Sequence, residues 1–281
     1  MIIKNLKSEK KIILTIDFED FFFDFSSEIK SNQIKNLENH LMKIYLEIEY
    51  ILKENSIDKG VTFFTTGNLI ERYPDLVKEI SLKNEIALHS YEHNSPKNLS
   101  YEKFEKDLND AILVYKKVLK QDPKGYRAPN FGVGDDINYY KIISKYFKYD
   151  SSYQLNNFLK EEKFDGIDEF PIFKNNFLLP SRIIGGTFLK VFPYYMIKKF
   201  ILECIRNKFY PIIYLHPYEL NTDFSFYVNC FKENDLNIGE KLYWSLRQLQ
   251  WIGYSNFFVK KKLNFLLKEF KVLGRMENFL G

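Results

Sequence analysis

The first apolar run, Lys11-Ile12-Ile13-Leu14-Thr15-Ile16, is rich in β-branched residues and predicts a buried strand over 11–17. Leu37, Leu41, Ile44, Ile48 and Ile51 then recur at helical intervals, which puts one apolar stripe on a helix over about 33–54. The alternation repeats along the chain. A strand over 60–65 precedes a helix near 74–82 opened by Pro74, a residue the first helical turn tolerates. Strand 85–89 precedes helix 100–120, where Phe104, Leu108, Ile112, Tyr115 and Leu119 keep the same spacing. Strand 124–127, helix 135–146 and a short strand near 148–150 follow. Residues 151–191 are less regular and contain Glu169-Phe170-Pro171-Ile172 and Gly185-Gly186. Helix 193–207, strand 210–215 and helices over 232–281, broken near Gly253 and Gly274, complete the chain. Alternating strands and helices predict an α/β fold. With no internal repeat and no Pro/Gly-rich linker, residues 1–281 read as one domain, with a core over about 10–220 and a helical C-terminal segment over about 232–281.

Four of these strands end in residues with chemistry, at the edge where α/β proteins build their sites. The first ends in Asp17-Phe18-Glu19-Asp20, three carboxylates that would be costly to bury without a metal or a basic partner. Glu85-Ile86-Ala87-Leu88 runs into His89-Ser90-Tyr91-Glu92-His93. On a helix an i, i+4 pair sits about 5.4 Å apart on one face, ready to converge on one ion. In Gly125-Tyr126-Arg127-Ala128-Pro129-Asn130, Pro129 stiffens the loop and pushes Ala128 to extended geometry, which leaves Arg127 suited to clamp a carboxylate in a bidentate pair. The fourth strand delivers His216 in Leu215-His216-Pro217-Tyr218-Glu219. Taken singly, each has a bland explanation: solvated loop acids, surface histidines, a surface arginine, a structural histidine. Together, at successive strand ends, they read as one site.

That set, in that order, resembles the polysaccharide deacetylases of the NodB-homology type, carbohydrate esterase family 4. Thr15-Ile16-Asp17-Phe18-Glu19-Asp20 stands for the family's first motif, His89-Ser90-Tyr91-Glu92-His93 for the second, Arg127-Ala128-Pro129 for the third and Leu215-His216 for the last. Glu169-Phe170-Pro171-Ile172, Gly185-Gly186 and His216-Pro217-Tyr218-Glu219 look most like the subgroup linked to exopolysaccharide gene clusters. The resemblance covers roughly residues 10 to 280. It implies a distorted (β/α) barrel of about seven strands and removal of N-acetyl, or secondarily O-acetyl, groups from a sugar in surface-polysaccharide assembly. It further implies one divalent metal, Zn2+ first and Co2+, Ni2+ or Fe2+ as alternatives, held by His89, His93 and an acid. Asp17 would be the base, positioned by Arg127, and His216 the general acid. Pro129, Asn130, Tyr218 and Glu169 are expected to face the sugar. The chain departs from the family's commonest first motif, two adjacent aspartates before a glycine, so either Glu19 or Asp20 is left as the third ligand. The acidic partner of the late histidine is not cleanly matched either; Asp168 or Glu169 is the nearest candidate. Two other functions compete: a related amidohydrolase that opens a cyclic imide or ureide, and a degenerate sugar-binding member without metal.

Composition changes this picture little. Hydrophobic residues at 45% and charged residues at 28% describe a globular chain. The net charge of +4 is dispersed apart from Lys260-Lys261-Lys262, which gives no reason to expect a nucleic-acid partner. Cys204 and Cys230 make neither ligand spacing nor a disulfide framework. The N-terminal residues lack the apolar core of a secretion signal, and no stretch approaches the about 20 apolar residues of a membrane span, so the expected location is cytoplasmic, near the inner membrane face at most. The aromatic helices after residue 240 are expected to bury in the core, and nothing in the chain specifies an oligomer.

Overall fold

A computed structural model describes residues 9–19, 37–155, 164, 166–175, 182–183, 185–221, 237–243, 246 and 255–280. The expected ligand Asp20, Cys230 and the helix break at Gly253 lie outside the described residues. In chain order the first half contains β1 (Lys11–Phe18), α1 (Leu37–Glu54), β2 (Thr62–Thr65), α2 (Gly67–Arg72), α3 (Pro74–Ser81), β3 (Glu85–Leu88), α4 (Tyr101–Leu119), β4 (Gly125–Tyr126), α5 (Ile137–Ile143) and β5 (Tyr149–Asp150). The second half contains β6 (Gln154–Leu155), β7 (Asp168–Glu169), β8 (Ile172–Asn175), β9 (Arg182–Ile183), α6 (Thr187–Val191), α7 (Tyr194–Arg206), β10 (Ile212–Leu215), α8 (Pro217–Leu220), α9 (Ser255–Glu269) and β11 (Lys271–Val272).

Seven parallel strands hydrogen-bond in the order β10-β1-β2-β3-β4-β5-β7 and form a half-barrel, with β11 added beside β1. This is the α/β barrel-like architecture that the alternation predicts. The twofold period of β1 divides its side chains between two cores. Ile12, Leu14 and Ile16 pack with the helices, α1 contributing Leu41, Ile44, Ile48 and Ile51 from its predicted stripe. Ile13 faces the other way, into a smaller inner cluster with Phe64, Ala87, Tyr149, Phe170, Ile172, Ile212 and Met276. Thr15 and Asp17 share the parity of Ile13, so the inner face of β1 runs from apolar to charged toward its carboxyl end.

Three expectations need correction. Helix α2 is absent from the sequence reading; its six residues are too short to show a period. The C-terminal segment is not helical throughout: Lys271 and Val272 pair in parallel with Lys11 and Ile12, a contact across the whole chain that leaves no local mark. Nor do the late aromatic residues all enter the core. Helix α9 buries one stripe, Val259, Leu263, Leu266 and Leu267, while Phe257, Phe258 and Phe265 fall on its other side and are exposed. Among the described residues no helix is long and apolar enough to cross a membrane.

Candidate active site

Asp17 is the penultimate residue of β1 and Glu19 lies just past its end; both are buried. Arg127, one residue past β4, is wholly buried and lies 3.9 Å above the Phe64 ring. Its Nη1 donates to Asp17 Oδ1 at 2.6 Å and to Thr15 Oγ1 at 2.9 Å, while Nη2 and Nε donate to Ser151 Oγ at 2.9 Å and to the Ser151 carbonyl at 3.3 Å. The expected two-pronged clamp on one carboxylate is therefore corrected. The guanidinium spreads its donors over β1 and the chain after β5, which fixes Asp17 and satisfies the buried cation at once.

The histidine pair converges by a different route from the helical spacing first inferred. Residues 89–95 form no helix; Ser90 at φ 64° and His93 at φ 57° take left-handed backbone and curl the chain back on itself. The turn is tied from both sides. The carbonyls of Ser90 and Tyr91 accept from the Gly67 and Asn68 N–H groups at the start of α2, at 2.9 and 3.1 Å. Asp107 of α4 accepts from the Tyr91 N–H at 2.8 Å.

Within this cradle one ligand atom from each of Glu19, His89 and His93 lies within 4.8 Å of the others. His89 Nε2 is 3.8 Å from Glu19 Oε2, and His93 Nε2 touches the same oxygen. His89 Nδ1 lies 2.7 Å from the Arg127 carbonyl, which only accepts, so Nδ1 carries the proton and the Nε2 lone pair faces Glu19. Burial lowers the His89 pKa to about 4, leaving the ring neutral near pH 7, as a ligand must be. Burial would raise Glu19, but His93, His216 and His89 outweigh it and hold the carboxyl at about 2. Two imidazole nitrogens and one carboxylate oxygen suit a divalent ion with open positions.

His216 stands on the far side of the cluster, its Nε2 3.6 Å from Glu19 Oε1. Its Nδ1 faces Glu219 Oε2 at 3.5 Å, and that same oxygen accepts the His216 backbone N–H at 3.0 Å. Burial would lower the His216 pKa; Glu219 overcomes it and raises the ring to about 9. The acidic partner is thus Glu219, not Asp168 or Glu169. The pattern Pro217 then Glu219 after the histidine is a helix-start signature that could have flagged it. Tyr218 stacks on His216 with ring centres 4.9 Å apart and planes 9° from parallel.

These groups open on a cavity of about 240 Å³. Of the residues expected there, Asp17, Glu19, His89, His93, Asn130, His216 and Tyr218 line it. Arg127 lies beneath Asp17, and Pro129 is buried in the turn behind Asn130. Glu169 lies elsewhere: it is fully buried beside Asp150 on β5, its in-register neighbour, and accepts from the Tyr153 N–H. Ala128 of the third motif completes the lining with Phe131, Gln154 and Tyr214, which had no signal in the sequence. Left-handed backbone at Asn130 and Phe131 accompanies an edge-on contact of the Phe131 ring with Tyr214 at 5.3 Å.

Residues 7–142 match the polysaccharide deacetylase family, and residues 143–273 match a domain of unknown function, DUF3473. The first half of the chain is thus a polysaccharide deacetylase domain, and the fold is that of the NodB-type deacetylases. The junction of the two matches falls inside α5, and β10 from the second lies in register beside β1 from the first. A protein assigned as a polysaccharide deacetylase from Mycobacterium smegmatis superposes with a TM-score of 0.58 at 15% identity, covering 97% of this chain and 90% of that one. A carbohydrate esterase family 4 pseudoenzyme from Bacillus anthracis gives 0.50 at 14% identity, covering 100% of this chain and 69% of its own. In sequence, the peptidoglycan-N-acetylmuramic acid deacetylase PdaC of Bacillus subtilis is 30% identical over 77 residues, 27% of this chain and only 16% of that protein.

Proposed function

We propose that this chain is a metal-dependent hydrolase that removes the N-acetyl group of a sugar in a surface polysaccharide. The observation carrying the reading is the three-part arrangement around Glu19: His89 and His93 on one side, Asp17 backed by Arg127 below, His216 backed by Glu219 opposite. A divalent ion held by Glu19, His89 and His93, zinc by preference, would supply an acidified water and polarise the acetyl carbonyl. Asp17 accepts the proton of the attacking water, and the Arg127 contact keeps its carboxylate aimed at the cavity. His216 delivers a proton to the leaving nitrogen as the C–N bond breaks, so acetate and a free amine depart. Tyr218, Tyr214 and Phe131 give the cavity an aromatic lining, which is compatible with a pyranose. PdaC, by its name, deacetylates N-acetylmuramic acid in peptidoglycan. We place this chain's substrate in the same broad class of N-acetylated glycans.

Elemental analysis of the purified protein tests the reading. About one zinc or similar ion per chain is expected in the wild type and none in His93→Ala, with N-deacetylase activity lost in step. Full activity in metal-free His93→Ala would overturn the proposal, and turnover of cyclic imides in its place would favour the amidohydrolase.

A further inference from the structure

Side chains of α9 fasten two short helices of the second half, α6 and α8, and α8 walls the cavity with Tyr218. Lys262 Nζ donates to the carbonyls of Leu189, Lys190 and Phe192, at 2.7, 3.0 and 2.7 Å, and so closes the end of α6. Asn256 does the same for α8. Its Nδ2 donates to the Tyr218 carbonyl at 2.8 Å and to the Asn221 carbonyl at 2.6 Å. The Asn221 amide in turn meets His40 Nε2 of α1 at 3.2 Å. Helix α8 has four residues, too few to satisfy its own carbonyls, and it carries both Tyr218 and Glu219. Those two side chains hold the His216 ring, one by stacking and one through Nδ1.

Asn256 is an expensive residue for its place. It is wholly buried in the first turn of α9, and its Oδ1 has no hydrogen-bond partner among the described residues. An apolar side chain would fill the same space without stranding an acceptor, so the value of Asn256 lies in its two donors. We propose that Asn256 is a positioning residue for the leaving-group half of the reaction: it clamps α8 so that Tyr218 and Glu219 present His216 to the departing nitrogen. The inference rests on the reading of His216 as general acid. It also gives the C-terminal region, whose family has no assigned function, a task inside the active site.

The choice of leaving group separates this role from general support of the fold. An amide nitrogen leaves only when protonated, whereas 4-nitrophenolate leaves from 4-nitrophenyl acetate without a proton. The metal-loaded full-length protein is assayed on an N-acetylglucosamine oligomer and on 4-nitrophenyl acetate, as wild type, His216→Ala and Asn256→Ala, with metal content and melting temperature measured for each. His216→Ala should lose about 10²- to 10⁴-fold of its N-deacetylation and little of its esterase activity. Asn256→Ala should lose about ten- to 10²-fold of kcat for N-deacetylation, keep aryl-ester hydrolysis within about threefold, and keep its metal. Equal losses on both substrates in Asn256→Ala, or no loss on either, would overturn the clamp. If Asn256→Ala shows no cooperative melting, Asn256→Ser, which retains one donor, takes its place and must show the same split at smaller size. Absence of the split in His216→Ala would instead sink the general-acid reading, and the clamp with it.

Discussion

Asp150 and Glu169 are in-register neighbours on β5 and β7, both with no exposed surface. Their contacts are the Ser152 N–H and hydroxyl on Asp150, at 2.9 and 2.7 Å, and the Tyr153 N–H on Glu169 at 3.1 Å. Two adjacent carboxylates in so dry a place cannot both ionise. Burial, and then the charge of Asp150, pushes Glu169 well above the usual carboxylate range, and burial raises Asp150 as well. The folded pair therefore keeps a proton that the unfolded chain releases above about pH 4.5. Folding takes up that proton, so its contribution to stability is present at low pH and declines as pH rises through the window up to the raised Glu169 value. Glu169→Gln carries a permanent N–H in place of the proton. Thermal melting from pH 5 to 9 should show the wild type losing up to about 1.4 kcal/mol per pH unit relative to Glu169→Gln. Parallel pH profiles for the two proteins would rule out the shared proton. The Ser152 hydroxyl on Asp150 also accepts the Ala128 N–H at 2.7 Å, so the pair underpins the loop that follows Arg127. Glu169 was legible in the sequence as a candidate, but for the wrong role. A strand-end acid looks the same whether it faces a cavity or the carboxyl of the next strand.

At the scale of elements, the short ones carry the site. Residues 185–192 reach the outer edge of β10 through a parallel bridge between Gly185 and Tyr214. Gly185 has φ 145°, and a Cβ there would stand 2.4 Å from the Tyr214 ring and 2.5 Å from its carbonyl oxygen. Gly185→Ala is expected to cost about 1–3 kcal/mol through strain and overpacking, read as a drop of several degrees in melting temperature. It should also weaken substrate binding, since Tyr214 lines the cavity. An unchanged melting temperature would mean the bridge is dispensable. Elements of four or more residues with an apolar period, such as β1, α1, β3, α4 and β10, were legible within a few residues of their ends. Of the two-residue strands, β4 and β5 were legible but β6, β7, β9 and β11 were not, because two residues show no period and only pairing with another strand defines them. The turn at 89–93 belongs with these: its residues were legible, but its backbone path depends on α2 and α4.

Across the whole molecule, the inner face of the half-barrel is closed at the end opposite the site. Met276 is fully buried in the inner cluster, its N–H donates to Thr62 Oγ1 at 2.9 Å, and the next N–H, of Glu277, reaches Glu85 Oε2 at 3.1 Å. Thr62 and Glu85 open β2 and β3, whereas Asp17 and His89 lie at carboxyl ends, so plug and site occupy opposite rims. Met276→Ala should therefore cost about 2–5 kcal/mol of stability and leave the metal stoichiometry unchanged. The denaturant midpoint and elemental analysis of the same sample check both halves. Loss of metal together with stability would show the two rims to be coupled.

The sequence by itself determined the α/β alternation, the apolar stripes and the residues that approach Glu19, because period, β-branching and strand-end position are local properties of a chain. Only the tertiary structure decided that Glu219 rather than Glu169 backs His216, that a left-handed turn brings the two histidines together, and that α9 and the residues after it brace the catalytic wall and plug the barrel. The physical reason is distance along the chain. Asn256 reaches a carbonyl 38 residues away and Met276 a hydroxyl 214 residues away, and contacts of that separation leave no pattern in neighbouring residues.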